Sequence, residues 1–442
     1  MSMNTKTLLT APIPKLYLSY LLPTLIAMLS NSLYCLVDVY FISKGAGSVG
    51  LAALNIAMPI FTLYSAIGLL FGVGGATVMA VAEGSHHLKE RNQAFTLSVA
   101  CMLIIGIFIS IAGTVFLEPF AYALGSSEAL LPYVKQYMLP VNISAFAFVL
   151  MYAASILIRA DHAPKLAMNA MLLGNISNMI LDYVFVMLFG MGLQGAAIAT
   201  CISPFLTIIG VSFHFILKKN TVHFTKDCFH KNLLKRICSN GLGSGIMEIS
   251  AGAIILLFNV VILHMADELF LASYAIVTNI AYVCKGLLNG FAQGIQPIIS
   301  ANFGAGNRER VKEALKVCIC FASAFAIIVY LIFLIFPQGV AALFANGDGE
   351  LITQSATGIR LYFSSLLFTA MITMIMYYFQ SIEMGKLSTM LAVLKGFVFI
   401  VVSMAILIFL FGIDAIWLSV TAAELFALMT AVMIIKKGRL LA

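Results

Sequence analysis

Charged side chains are scarce in this chain: Lys, Arg, Asp and Glu make up only 10% of its 442 residues. A globular domain that faces water carries about 25%, so these charges are too few to cover a water-exposed surface. The sequence also lacks the HExxH and GxSxG motifs of metalloproteases and serine hydrolases, and it has no ATP-binding motif. We therefore expect no enzyme, and an energy source that is an ion gradient or a partner protein.

Metal-binding and disulfide patterns are also missing. The eight cysteines are scattered, mostly inside apolar runs, where a free thiol acts as a small hydrophobic side chain. Cys228 and Cys238 share one loop with His223 and His230, but their spacing fits no standard zinc pattern. The sequence therefore predicts no metal and no cofactor.

Long apolar runs dominate what is present. Apolar residues make up 62% of the chain, its mean hydropathy is +1.04, and the runs reach the roughly 20 residues that a helix needs to cross a bilayer. No run alternates with the period of two that a membrane barrel requires. The sequence predicts an all-α polytopic membrane protein with twelve transmembrane helices, at residues 17–42, 51–82, 94–117, 131–158, 166–189, 194–217, 239–264, 271–301, 314–336, 353–379, 387–411 and 415–435.

The distribution of basic residues predicts an orientation in the membrane. If both termini are cytoplasmic, 20 of the 25 Lys and Arg residues fall in the termini and loops on the cytoplasmic side. Loops that carry an excess of Lys and Arg stay inside the cell. The net charge of +7 is thus a topology signal, and it gives no reason to propose nucleic-acid binding.

The chain repeats itself at a spacing of about 220 residues. Residues 68–84 read GLLFGVGGATVMAVAEG, residues 286–304 read GLLNGFAQGIQPIISANFG, and a charged turn follows each segment. An offset that spans an even number of helices makes the two copies parallel repeats, related by an axis along the membrane normal. We predict two parallel six-helix bundles: an N-lobe at 1–217, a cytoplasmic linker at 218–238 and a C-lobe at 239–442.

Two further stretches, QPIISANFGAG at 296–306 and NISNMILDYVFV at 175–186, complete the pattern. Together with twelve spans in two repeats, they resemble the multidrug and toxic compound extrusion (MATE) family over nearly the whole chain. The resemblance implies a secondary antiporter. Such a protein exports bulky amphiphilic, often cationic, compounds by alternating access, in exchange for inward-moving H⁺ or Na⁺.

The resemblance also implies an ion-coupling site in the N-lobe. Residues 31–38 match the family motif Q-x-L-Y-x-L-V-D, residues 178–182 match N-x-x-L-D-P, and residues 190–200 match the G-x-x-G-A-A-x-A-T type. These matches place the coupling residues, which would carry H⁺ or ligate Na⁺, at Asp38, Asn178, Asp182 and Thr200. The sequence departs from the motifs twice. Asn31 replaces the usual Gln, and Tyr183 replaces the Pro after the acid and with it the basis of a proline bend.

The residues themselves indicate the same region. A charge at the middle of the bilayer costs about 2.5 kcal/mol or more, so it normally faces a polar cavity and serves a transport pathway. Polar side chains recur at i, i+3 and i+7, and so share one helix face, at Asn31, Tyr34 and Asp38 and again at Asn175, Asn178 and Asp182.

If these two faces meet, the carboxyl pair could hold one proton or, with Asn and Thr oxygens, ligate a hard cation. We assign Asn31, Tyr34 and Asn175 to the substrate cavity. The alternative is that each acid is simply buried beside a hydrogen-bond partner.

The C-lobe has ionisable residues of its own. Glu248 lies where some family members carry a coupling Glu, and we assign it to the cavity, although a structural ion pair with a lysine is an open alternative. Lys285, Lys395 and Glu424 are secondary candidates. Arg360, near the outer half of its span, is interpreted as a snorkelling residue.

The leading hypothesis is an exporter of amphiphilic, cationic drugs or toxic metabolites, driven by H⁺ or Na⁺. We expect a multi-pass protein of the cell membrane that works as a monomer, with cytoplasmic termini, small-molecule substrates and the lipid bilayer as its partners. The alternative is a superfamily flippase or metabolite exporter for a lipid-linked or other natural substrate. A channel or receptor without coupled transport is a further alternative.

Overall fold

A computed structural model describes residues 5–345 and 347–438. All regular secondary structure in these ranges is helical. Seventeen α-helices follow one another along this part of the chain: α1 Thr5–Thr10, α2 Ile13–Gly84, α3 Leu88–Val115, α4 Leu117–Ala123, α5 Leu131–Ile143, α6 Ala145–Ala160, α7 Pro164–Asp182, α8 Gly192–Ile216, α9 Lys231–Met265, α10 Glu268–Gly304, α11 Arg308–Ile335, α12 Pro337–Ala342, α13 Gly349–Tyr362, α14 Leu366–Ser381, α15 Gly385–Val393, α16 Ile400–Phe411 and α17 Ser419–Gly438.

The helices of the described residues account for twelve membrane crossings. Ten helical stretches are long and apolar enough to span a bilayer, and α5 with α6, bent by 54°, forms an eleventh. At about 1.5 Å per residue, the 72 residues of α2 are far longer than a bilayer is thick, so α2 supplies two crossings. They meet at Gly47, whose φ of 63° is a left-handed conformation that glycine adopts without a steric penalty.

The outer faces of the helices are apolar. Large side chains remain open to the surroundings along these faces, such as Phe108 on α3 and Phe409 on α16, which is 88% exposed. A protein that dissolves in water rarely exposes apolar surface along whole helix faces. These faces fit contact with lipid, and the fold is the predicted all-α polytopic one.

Within the described ranges, two π-helical turns occur, at Tyr183–Leu188 directly after α7 and at Leu394–Phe399 directly after α15. A π turn adds a residue to the helical repeat and often marks a functional site. The first turn begins at Tyr183, where the family motif has its proline. The helix therefore changes geometry at this point without a proline.

The two halves of the chain, α1–α8 and α9–α17, pack most tightly at one end of the molecule. A Cβ atom on Gly241 of α9 would lie 1.7 Å from the Leu70 carbonyl oxygen of α2. On Gly245 the nearest atom would be 3.1 Å away, and on Gly252 3.7 Å away. Since the separation grows along α9, the halves are in backbone contact at one end and diverge toward the other.

The end where the halves touch also carries most of the basic loops, and we call it the basic end. The segment 218–230 lies there in an extended conformation against the start of α3. Backbone N–H groups of alternate residues bind this helix, since His223 donates to Asn92 Oδ1 at 3.0 Å and Thr225 donates to Thr96 Oγ1 at 3.1 Å. Within the predicted linker of 218–238, residues 231–238 form the first turns of α9.

A buried charge network beside this segment corrects a sequence-based expectation. Arg91, which the charge pattern counts among the basic residues of the cytoplasmic segments, is only 3% exposed. Its Nη2 donates to Asp161 Oδ1 at 2.6 Å, and its Nε lies 3.4 Å from Glu83 Oε2. His214 and His162 lie 2.7 Å from the Asp161 and Glu83 carboxylates. The network ties α2, α3 and α8 to the turn between α6 and α7.

Asp161 lies outside the spans, in that turn, and also accepts a hydrogen bond from the Thr221 backbone N–H at 3.0 Å. Burial opposes its ionisation. Hydrogen bonds from His214 and Thr221 and the charge of Arg91 nevertheless hold the pKa of Asp161 below its ordinary value. A carboxylate with a lowered folded-state pKa stabilises the fold above its unfolded-state pKa, and this contribution is lost as the pH falls through the lower value.

We expect Asp161→Asn to destabilise the protein by about 3 kcal/mol near neutral pH, because it removes the nearer of the two carboxylates that neutralise the buried Arg91 charge. Thermal unfolding in detergent measures this effect. The gap between wild type and variant should be constant from about pH 7 to pH 5 and shrink below about pH 4. Asp414→Asn, at an exposed position, is the control. A gap that does not depend on pH would contradict this account of Asp161.

Candidate functional site

The four residues that the resemblance assigns to ion coupling lie together in the first half. Asp38 on α2 is 6% exposed, and Thr200 Oγ1 on α8 donates to its Oδ1 at 3.4 Å. Asp182 and Asn178, both on α7, are fully buried. Because α7 follows the helical repeat, the four-residue spacing of these two side chains puts them on one face, toward α2 and α8.

Asn178 links the two sides of this group. With its amide oriented to satisfy both neighbours, Nδ2 donates to Asp182 Oδ2 at 3.0 Å. Its Oδ1 accepts from the Thr200 backbone N–H at 3.2 Å. We call Asp38, Asn178, Asp182 and Thr200 the acid cluster.

The two carboxyl groups of the acid cluster are close enough to share a hydrogen bond. Asp182 Oδ1 is buried and has no hydrogen-bond partner among the described residues. A carboxylate is only an acceptor, whereas a protonated carboxyl group also has a donor. One proton on the pair would therefore supply a donor between two groups that otherwise repel each other. The geometry suits a site that gains and loses one proton.

Tyr137 on α5 is a neighbour of the acid cluster that sequence reasoning missed. It is fully buried, and its hydroxyl lies near Asp38, Asp182 and Thr200. A single tyrosine in an apolar run gives no signal of such a role.

A cavity with both apolar and charged residues in its lining lies between the two halves, outside the acid cluster. It encloses about 100 Å³. Two of the four residues assigned to the substrate cavity, Asn31 and Glu248, line it. The full lining is Met28, Asn31, Ser32, Ser65, Leu69, Met151, Tyr152, Ser155, Ile156, Arg159, Met171, Glu248, Tyr282, Lys285, Gly286, Asn289 and Gln293.

The other two assigned residues lie next to this cavity rather than in its lining. Tyr34 is near both Asp38 and the cavity residue Tyr152, so it lies between the acid cluster and the cavity. Asn175 is buried and donates to Ser30 Oγ at 3.2 Å. Their part in substrate contact stays a prediction.

Glu248 forms an ion pair inside the cavity. Lys285 Nζ on α10 lies 3.0 Å from Glu248 Oε2, and Ser65 Oγ donates to Glu248 Oε1 at 3.4 Å. Since Lys285 neutralises Glu248, the structure contains the ion pair that the sequence leaves as an alternative. The pair nevertheless borders the cavity, so both charges can meet a ligand.

The remaining secondary candidates form a second pair, away from the cavity. Lys395 Nζ lies 2.9 Å from Glu424 Oε1, and both side chains are largely buried. Lys395 belongs to the π-helical turn Leu394–Phe399, just as Asp182 directly precedes the turn Tyr183–Leu188. Arg360 is exposed on α13, as expected of a snorkelling residue.

The charge pattern places Arg159 in a cytoplasmic loop, and the structure corrects this. It is the penultimate residue of α6, it is 2% exposed, and it lines the cavity. The apolar run ends one residue before Arg159, and a basic loop follows. In the sequence, Arg159 therefore cannot be distinguished from the charges that determine topology. Only the packing of α6 against α10 reveals that its side chain turns inward.

Comparisons with known proteins agree with this architecture. The profile of the MatE family matches the chain twice, at residues 23–184 and 245–407. The multidrug export protein MepA of Staphylococcus saprophyticus is 25% identical over 416 residues, which cover 93% of this chain and 91% of that protein. MepA of Staphylococcus aureus is 24% identical over 427 residues and covers 96% and 94%.

A solved structure has the same fold. An outward-facing multidrug resistance MATE family transporter of the MOP superfamily superimposes with a TM-score of 0.92 at 23% identity, over 99% of each chain. The family profile covers well over half of the sequence in two copies, and the all-helical fold agrees with it. The chain therefore belongs to the MatE family and is a multi-pass membrane transporter, not an enzyme.

Proposed function

We propose that this protein is a secondary active exporter of amphiphilic small molecules that uses the inward gradient of H⁺, and not of Na⁺, by alternating access. The observation that carries the proposal is the acid cluster. Its two carboxyl groups, Asp38 and Asp182, can share one proton, and Asn178 and Thr200 form hydrogen bonds with them. The MepA relatives, which are named for multidrug export, support the export function.

The arrangement favours a proton over a sodium ion. Sodium, like other hard cations, needs several oxygen ligands. Asn178 Oδ1 already accepts from the Thr200 N–H and its Nδ2 donates to Asp182, so only one lone pair of this amide oxygen is left for a metal. A proton needs only the carboxyl pair.

The cavity between the halves supports alternating access. Its volume of about 100 Å³ is below the roughly 300 Å³ of the smallest drug-sized sites. A bulky substrate therefore requires the halves to separate, and they are already farther apart away from the basic end. We place the basic end, with most of the Lys and Arg residues, in the cytoplasm.

We further propose that the two sequence repeats, 1–217 and 239–442, move as two lobes that work within one monomer in the cell membrane. Protonation of the acid cluster would change the packing of α2, α7 and α8 around it. Because α2 also contacts α9 and α10, a change at the cluster can reach the other lobe.

Transport by purified protein in proteoliposomes tests the coupling ion. We expect a pH gradient alone to drive accumulation of a fluorescent amphiphilic dye at least about tenfold faster than in empty liposomes. A sodium gradient of equal size at constant pH should add nothing. Dissipation of the pH gradient by an ionophore is the control. Uptake that follows Na⁺ and ignores pH would refute the proton assignment, and uptake that follows neither would refute secondary transport.

A further inference from the structure

We propose that Arg159 is the anion-binding end of the cavity between the halves, and that the preferred substrates are amphiphiles with an oxyanion group, a carboxylate in particular. The juxtaposition of a buried, unpaired guanidinium with an otherwise self-neutralised cavity leads to this inference. It deepens the proposed export function and rests on it only in treating this cavity as the substrate site.

Arg159 is held in place but not neutralised. Its Nη1 donates to Gln293 Oε1 on α10 at 2.9 Å, so the guanidinium spans from the first half to the second. Gln293 is in turn in contact with the Tyr377 hydroxyl. Arg159 Nε, although buried, has no hydrogen-bond partner in the described ranges. None of the ion pairs formed by the described residues includes Arg159.

A buried guanidinium costs free energy unless an anionic group pairs with it. Buried charges in proteins are normally paired with an opposite charge, and arginine does not lose its proton to escape the cost. The fork of N–H groups in a guanidinium matches the two oxygens of a carboxylate or phosphate. The missing partner of Arg159 is therefore an oxyanion that enters the cavity.

None of the other charges of the cavity is the partner of Arg159. Lys285 and Glu248 form a pair at 3.0 Å, and together they contribute no net charge. The lining then carries one uncompensated positive charge, that of Arg159. Since a purely cationic ligand would meet this charge without a compensating acid, the cavity favours anionic or zwitterionic amphiphiles over the cationic ones that the family resemblance implies.

The apolar part of the lining indicates the shape and polarity of the rest of the ligand. Met28, Leu69, Met151 and Met171 line the cavity with Tyr152. Flexible thioethers and aromatic rings contact flat apolar bodies of varied shape. We therefore expect a flat, apolar body that places its acidic group against Arg159.

Equilibrium binding of a matched dye pair tests this inference. A fluorescent rhodamine is used as its free carboxylic acid and as its methyl ester, which differ only at the acidic group. Binding to purified protein in neutral detergent is followed by fluorescence anisotropy, with no ion gradient. We expect the acid to bind about tenfold more tightly than the ester, since a charge-assisted hydrogen bond replaces water contacts.

Three variants assign the preference to Arg159. Arg159→Gln should reduce the ratio of acid to ester affinity to about one. Arg159→Lys should keep part of it, because the charge remains but the two-pronged geometry is lost. Arg360→Gln, which removes a guanidinium from an exposed site, should leave the ratio unchanged. Equal ratios in wild type and folded Arg159→Gln would overturn the inference, and so would wild-type protein that binds the ester as tightly as the acid, whether or not a variant folds.

A competition experiment separates two sources of the oxyanion. Displacement of the bound acid dye by an aromatic carboxylic acid but not by short-chain phosphatidic acid assigns the site to carboxylate substrates. The reverse result assigns it to a lipid phosphate, and either supports an oxyanion site. Failure of the proposed export function is distinguishable, because it shows only in the proteoliposome assay, whereas this inference is decided without a gradient.

Discussion

Asp38→Asn is expected to abolish ion-driven export while the protein remains folded and inserted. Asparagine has nearly the shape of aspartate and can still accept the hydrogen bond from Thr200 Oγ1. It cannot take up or release a proton, so the carboxyl pair becomes a single titrating group beside a neutral amide. Because coupling requires the pair to be loaded from one side and emptied to the other, transport should fall to the level of empty liposomes, at least about tenfold below wild type.

Dye efflux in a pump-deficient host and uptake in proteoliposomes measure this loss. Size-exclusion profiles and thermal unfolding should match those of wild type. Asp414→Asn is the matched control, because it makes the same change at an exposed position, and it should transport normally. Wild-type transport by Asp38→Asn would rule out the proposed role of the acid cluster.

Gly241→Ala is expected to have the second large effect, on assembly of the two halves. A Cβ atom at this position would lie 1.7 Å from the Leu70 carbonyl oxygen and 2.6 Å from its carbon. Both are backbone atoms of α2, so a side-chain rotation cannot relieve the overlap. We expect a loss of about 3 kcal/mol, at the upper end of the cost of overpacking, and a loss of transport because the basic end no longer closes.

Thermal unfolding in detergent and export assays test this prediction. Gly339→Ala is the control. Gly339 lies at an exposed position of α12, where a methyl group added to its Cα would have nothing within 4 Å, and alanine there should be neutral or slightly stabilising. If Gly241→Ala unfolds at the wild-type temperature, the contact between α2 and α9 is looser than the distances indicate.

The crossings of the membrane could be predicted because bilayer thickness sets the length of each apolar run. Three members of the acid cluster, Asp38, Asn178 and Asp182, could be predicted both from helical spacing and from motif resemblance, whereas Thr200 came from the resemblance alone. Asp38 and Asp182 are far apart in sequence, but each shares a helix face with an asparagine. Because a charge inside the bilayer costs free energy, its side chain normally faces other polar groups.

Other features depend on packing that no local pattern encodes. Arg91 and Arg159 follow the same rule as the basic loop residues around them, since a positive charge at the end of an apolar run normally faces the cytoplasm. Their burial depends on partners far away in the chain, Asp161 for the first and Gln293 for the second. The π-helical turn at Tyr183 likewise lacks the proline that would have announced a change in helix geometry.

The segment 218–230 also changes how the connection between the halves should be understood. By its length in sequence it is a spacer of thirteen residues, long enough to let the halves move independently. Its backbone is instead fastened to α3, and Gln93 Nε2 holds the Asp227 carbonyl at 2.7 Å, only three residues before α9 begins at Lys231. The part of the connection that is free to move is therefore only about as long as one helical turn. Rotation of the second half must pivot at the start of α9. Residues inserted within the fastened part of the segment would not let the second half move farther from the first.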